Sequence, residues 1–139
     1  MTTNNKAERQ IEVLLTCDED VILARQKIRT LSTEIGFGML DQTRIVTAAS
    51  ELARNIIVHA GRGKVVAESL APRPGVRVLF IDQGPGIRDL DTVMQEGYSS
   101  VGSLGMGLKG AKRLVDEFDI KTQAGAGTTI TIVKWLPTD

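Results

Sequence analysis

The sequence lacks most of the residues that would tie a chain together covalently or through a metal. It has one cysteine, Cys17, and one histidine, His59. A lone cysteine excludes an internal disulfide, and the two together cannot build a Cys/His zinc cluster. Charge of one sign is not in excess either: lysine plus arginine total 17, as do aspartate plus glutamate, so the formal net charge is zero. Dominant contact with phosphate backbones needs a basic surface, so no direct nucleic-acid partner is expected. No apolar run approaches the ~20 residues that cross a bilayer, and the opening MTTNNKAERQ is polar. No membrane partner and no secretion are expected, and the localisation expected is cytoplasmic.

What is present is ordinary for a packed domain. The 139 residues are 42% apolar and 24% charged, enough for one domain with a real core. Residues 1–139 are therefore read as a single domain. Alternation through Ile11, Val13 and Leu15 predicts a strand over 9–17. Val21, Ile22, Ala24, Ile28, Leu31 and Ile35 recur at helical spacing up to the stop at Gly36 and Gly38. Asp41 is the expected N-cap of a second helix over 42–60. Strands are expected over 64–70 and 76–81 around the turn Ala71-Pro-Arg-Pro-Gly75, a helix over 111–118, and a closing hairpin over 119–124 and 128–135. Cys17, Phe118 and Trp135 are expected in the interior. The order β-α-α-β-β-loop-α-β-β predicts an α+β two-layer sandwich, with a mixed, mostly antiparallel sheet and helices on one face.

Three segments carry chemical signals. Arg44, Thr47, Glu51 and Asn55 form a polar stripe on the otherwise apolar second helix, with Glu51 and Asn55 one turn apart. Such a stripe is either a solvated face or a carboxylate and an amide aimed into a cleft. The carboxylate can take a hydroxyl proton, and the amide oxygen is a hard donor suited to Mg²⁺. Asp82-Gln-Gly84-Pro-Gly86-Ile87 leaves an apolar strand, where a carboxylate can accept from a ring amine and glycines leave room for the ring. Seven of the fourteen glycines fall within 82–110. Among them Gly105-Met-Gly107-Leu-Lys109-Gly110 opens a helix, whose unpaired N–H groups attract anions. The match to G-x-G-x-x-G is read as accidental, because the preceding residues 96–103 look like a mobile polar loop and not a strand.

On these residues the chain resembles the GHKL ATPase/kinase superfamily. Glu51-Leu-Ala-Arg-Asn55 resembles its N-box, Asp82-Gln-Gly-Pro-Gly86 its G1 box and Gly105-Met-Gly107 its G2 box. Gly127-Thr128-Thr129-Ile130 resembles the closing strand. Within the superfamily the chain is similar to the small anti-sigma-factor serine/threonine kinases, and most of all to stressosome switch kinases. That likeness runs through Gly36-Phe-Gly38 to Asp41-Gln42, Ser50 to Ile56, Asp82 to Ile87 and Arg113 to Phe118. Lys109 stands where that subfamily is expected to have proline.

The resemblance implies a Bergerat fold, ATP and Mg²⁺ as cofactors, and a role for each matching residue. Asn55 would hold the Mg²⁺ that bridges the phosphates, and Glu51 would be the general base. Asp82 would accept from the adenine amine, with Gly84, Gly86 and Ile87 beside the base. Gly105, Met106, Gly107, Leu108 and Lys109 would face the phosphates and hinge a lid, and Thr128 would lie behind the adenine in the Asp82 network. Arg54 is read as a surface ion pair and His59 as a helix-end capping or packing residue.

The function implied is a serine/threonine kinase acting on STAS-domain proteins of a stressosome. Once released, it would bind and activate a PP2C-type phosphatase. The alternative is an anti-sigma factor that sequesters a sigma factor and phosphorylates its anti-anti-sigma partner. A histidine kinase is a weaker alternative, because this sequence shows no helical hairpin with a phosphoacceptor histidine.

Overall fold

The computed structural model describes residues 5–87 and 104–138, with side chains in 104–106 excepted. In chain order the elements are β1 (Lys6–Leu15), α1 (Asp18–Ile35), α2 (Met39–His59), β2 (Gly63–Ala71), β3 (Gly75–Asp82), α3 (Leu104–Leu114), β4 (Glu117–Gln123) and β5 (Gly127–Trp135). The expected loop 96–103, and with it the lid, lies outside the described residues.

The five strands form one sheet in the order β1-β2-β3-β5-β4, and all four described pairings are antiparallel. Strand registers follow the apolar pattern. Val65 pairs with Phe80, Phe80 with Ile130, and Val78 with Ile132, so the inward positions of neighbouring strands meet on one face. That face joins Ile28 and Leu31 of α1 and Ile45, Ala49 and Leu52 of α2 in a single core. Its largest fully buried side chains include Phe80, Leu15, Ile28, Ile45, Leu52 and Ile132. β3 lies in the middle of the sheet, so its last residue, Asp82, is flanked by Gly63 on β2 and Thr128 on β5.

Helix ends show where local chemistry agrees with the expectation and where it does not. Gly36 is left-handed (φ 111°) and its N–H closes α1 on the carbonyls of Ser32 and Thr33. The second helix begins earlier than expected, capped by the extended Gly38, so Asp41 sits in its first turn. There the carboxylate favours the helix dipole and pairs with Arg44 at 2.9 Å and with the buried Lys134 at 3.6 Å. α3 starts at Leu104 and stops at Leu114, against an expected 111–118. Its glycines are held helical by packing of Leu108 and Ala111 into the core, which outweighs their weak propensity.

Four side chains depart from their expected burial. Cys17 is exposed, at the N-cap of α1. Ile22 is 54% exposed, because it falls one residue off the buried Val21–Ala24–Ile28 stripe. Trp135 is half-buried at the end of β5, donating its indole N–H to Glu117 at 2.9 Å under the guanidinium of Arg73. Phe118 is also half-buried and packs against the core without entering it fully. Among the described residues no helix is long and apolar enough to cross a membrane.

Asp20 anchors the start of α1. Its carboxylate accepts from the backbone N–H of Thr16 at 2.8 Å, the Thr16 hydroxyl at 3.0 Å and the Cys17 N–H at 3.3 Å. These bonds, the Thr16 N–H foremost, hold its pKa below the usual carboxylate range. The stabilisation is therefore present above the unfolded-state pKa and fades as pH falls through the lowered native value. Asp20→Asn is expected to lower the urea midpoint at pH 7, with the difference from the parent shrinking as denaturation curves are taken into the acid range.

Candidate nucleotide site

The site is built where α2, the end of β3 and the start of α3 meet. Apolar positions of α2 (Ile45, Ala48, Ala49, Leu52, Ala53 and Ile56) are buried. Its polar stripe lies along the edge of that face: Arg44 and Thr47 are exposed, Glu51 and Asn55 half-buried. The bland and the chemical readings of the stripe thus divide by position. Its first half is solvated, and its second half points toward α3.

A cavity of about 150 Å³ lies between these elements. Leu52, Ile56, Phe80, Leu108 and Ile130 form apolar walls, and Asn55, His59, Asp82 and Thr128 contribute polar groups. Gly86 and Ile87 close one side. An apolar cavity of this size accepts a benzene-sized ring, so it suits a flat base with its charged tail outside. Of the expected site residues, Asn55, Asp82, Gly86, Ile87, Leu108 and Thr128 line it together. Glu51, Gly84, Gly107 and Lys109 do not, and the side chains of Gly105 and Met106 lie outside the described ones.

Asp82 and Thr128 are held by their neighbours. One Asp82 oxygen accepts from the Gly84 N–H at 2.8 Å, which shapes the strand exit; the other takes no hydrogen bond among the described residues. Thr128 shares a 2.8 Å hydroxyl bond with Thr122, and the Ile87 N–H donates to the same Thr122 oxygen at 2.9 Å. The Gly125 N–H donates to the Pro85 carbonyl at 2.7 Å. The turn after Asp82 is thereby pinned onto the β4–β5 hairpin. Gly86 has φ +76° and sits against the Gln123 backbone, so only glycine fits there. A Cβ on Gly84 would come within 2.6 Å of the Ala60 Cβ. Both glycines therefore serve close packing of the turn, a reason beyond leaving room for a ring.

The approach of α3 to α2 is equally close. A Cβ on Gly107 would lie 2.9 Å from Nδ2 and 3.2 Å from Oδ1 of Asn55. Among the described residues the buried Nδ2 of Asn55 has no hydrogen-bond partner. Buried polar groups are almost always paired, so this orphaned donor points to an acceptor supplied by a ligand. α3 begins at Leu104, so the N–H groups of Gly105 and Met106 belong to its unpaired first turn. Those of Gly107, Leu108 and Lys109 come after the first four and are committed to the helix. Leu108 contributes its buried side chain to the cavity wall instead.

These residues fit a nucleotide with Mg²⁺. Asn55 offers an amide oxygen for the ion and an unpaired nitrogen for an anion, beside a helix start that favours negative charge. Among the described residues no group of three or more His, Cys, Asp or Glu could hold a metal. An ion here would take its remaining ligands from phosphate and water. Glu51 lies one turn before Asn55 on α2, outside the cavity lining, with its side chain 40% exposed and 3.7 Å from Arg54. Arg54 thus forms the expected surface ion pair.

Two residues were not foreseen as part of the site. His59 ends α2 and lines the cavity; among the described residues its buried Nε2 has no partner and it makes no capping bond. Its spacing of four from Asn55 continues the polar stripe, so the signal was present. Thr122 is a half-buried position on β4 with no sequence mark. Only the strand pairing Thr122 to Thr128 brings it to the site.

Comparison with known proteins agrees with this geometry. Residues 15–134 match the family described as histidine kinase-like ATPase domain. The chain is 48% identical over 126 residues to serine/threonine-protein kinase RsbT of Bacillus subtilis (strain 168), covering 89% of this chain and 95% of that one. It is 23% identical over 131 residues to an anti-sigma F factor of Thermoanaerobacter sp. (strain X514), covering 90% and 92%. Among solved structures, the RsbU and RsbW domains of a Mycobacterium tuberculosis protein superpose with a TM-score of 0.69 at 24% identity. That match covers 95% of this chain and 34% of the longer one, and it bears on the fold alone. The chain belongs to the histidine kinase-like ATPase domain family and, within it, to the family of serine/threonine-protein kinase RsbT.

Proposed function

We propose that this chain is an ATP- and Mg²⁺-dependent serine/threonine protein kinase whose substrates are STAS-domain proteins of a stressosome. The observation that carries the reading is the buried, unpaired Asn55 nitrogen under Gly107, at the edge of a ring-sized cavity containing Asp82. Likeness to RsbT over most of both chains supports it. Residues 1–139 are read as one catalytic domain acting in the cytoplasm. Once its substrates loosen the assembly, the freed kinase binds and activates a PP2C-type phosphatase.

Phosphoryl transfer asks mainly for positioning and charge stabilisation. Asp82 accepts from the exocyclic amine of adenine through its free oxygen, which selects adenine over guanine. Thr128, held by Thr122, supports the far side of the base. Gly105 and Met106 donate backbone N–H groups toward the phosphates, and Gly107 lets the helix start approach Asn55. Mg²⁺ supplies charge neutralisation across the phosphates, with Asn55 Oδ1 as its protein ligand. Glu51 takes the proton of the attacking serine or threonine hydroxyl as its oxygen bonds to the γ-phosphorus and the bond to ADP breaks.

The second reading, an anti-sigma factor, is favoured by the likeness to the anti-sigma F factor over most of both chains. It would use the same nucleotide residues, so partners separate the two. Stable capture of a sigma factor without phosphatase binding would reverse the ranking.

With γ-labelled ATP and a STAS-domain protein from the same genome, label is expected on serine or threonine; release to water alone would overturn the kinase reading. Asn55→Ala is expected to weaken Mg-ATP binding by more than about a hundredfold in calorimetry, beyond the loss typical of a supporting partner. Glu51→Gln should keep ATP affinity while transfer falls by about 10²–10⁴-fold, and a normal rate would refute the base assignment. Asp82→Asn sets a donor against a donor and is expected to cost about 1–3 kcal/mol of ATP affinity with loss of preference over GTP, measured by competition.

A further inference from the structure

Around α2, Glu51 stands between two unlike neighbours. At 3.6 residues per turn, Asn55 lies about 40° round the helix from Glu51 in one direction and Arg54 about 60° in the other. The Asn55 side is the inner one: it meets Gly107 and lines the cavity with Leu52 and Ile56. The Arg54 side is open. Arg54 has 58% of its side chain exposed and stands 3.7 Å from Glu51, further than a hydrogen bond. Thr47, one turn before Glu51, and Val58, one turn after Arg54, are exposed on the same side, Val58 at 60%.

With a nucleotide on the inner side, an acceptor hydroxyl reaches Glu51 from the open one. The chain that carries the hydroxyl then passes over Arg54 and Val58. A guanidinium has five N–H donors in a planar fork that matches a carboxylate, and the long contact with Glu51 leaves that fork available. The exposed apolar Val58 beside it suits the surface of a protein. We infer that Arg54 is a specificity residue, which pairs with an acidic side chain close to the serine or threonine that Glu51 deprotonates. This rests on the kinase reading proposed above and adds to it the chemistry of the acceptor segment, a hydroxyl accompanied by a carboxylate.

The test uses the intact chain, γ-labelled ATP and the STAS-domain protein, with initial rates taken at saturating Mg-ATP. Arg54→Ala is expected to raise KM for the STAS-domain protein about tenfold, with kcat within about twofold of the parent. In calorimetry the same variant is expected to bind Mg-ADP within about twofold of the parent, because Arg54 faces away from the cavity. Arg54→Lys keeps the charge without the fork, and its KM is expected between those of the parent and Arg54→Ala. Arg54→Glu is expected to raise KM further. Exchanging one acidic residue near the labelled hydroxyl for lysine is then expected to recover about tenfold in kcat/KM. A fall in kcat at unchanged KM would mean that Arg54 only holds Glu51, and would overturn the inference. Failure of every such charge exchange to rescue Arg54→Glu would overturn it as well. Absence of label with the parent chain, despite Mg-ADP binding, would instead remove the kinase reading itself.

Discussion

The contact on which the site depends is that between the backbone of Gly107 and the side-chain amide of Asn55. It brings the start of α3 against the polar stripe of α2, and a methyl at position 107 would have to displace the Asn55 amide. Leu108 and Ala111 pull α3 inward by burying in the core shared with α2. Apolar burial on one side of the junction thus enforces polar proximity on the other. Asn55 keeps one unsatisfied donor as the cost of that closeness, and such a group is tolerated where a ligand completes it.

The sheet performs the matching task for the base end. Antiparallel pairing of β3 between β2 and β5 is set by apolar inward positions, and it delivers Asp82 opposite Thr128 without reference to any ligand. Bonds from Ile87 to Thr122 and from Gly125 to Pro85 then fix the glycine turn to the β4–β5 hairpin. One Asp82 oxygen is used to hold the turn and one is left for recognition. On the function proposed, base selection and turn geometry would be carried by the same carboxylate.

Much of this was legible before any coordinates. Element types and order followed from periodicity, because strands and helices with one buried face must alternate at two and at 3.6 residues. Glu51, Asn55 and Asp82 stood out as polar residues on otherwise apolar elements. Boundaries were less legible. Asp41 has the side chain of a cap, but the burial of Phe37 and the extended Gly38 start α2 two residues before it. Ile22 fits a helical pattern within tolerance, yet the narrow stripe against the sheet admits Val21 instead. Gly105 and Gly107 read as the opening of a helix whose body lies over 111–118, whereas α3 spans Leu104–Leu114.

From the chain of residues alone came a single-faced α+β sandwich, its antiparallel tendency and the three segments that would carry chemistry, since these are local consequences of side-chain type and spacing. Tertiary structure alone decided that Thr122 supports Thr128, that Gly84 and Gly86 serve packing against Ala60 and Gln123, and that His59 turns an unpaired nitrogen into the cavity. The physical reason is that these are contacts between residues distant in sequence, or properties of burial. Neither exists until the sheet register and the approach of α3 to α2 have been set.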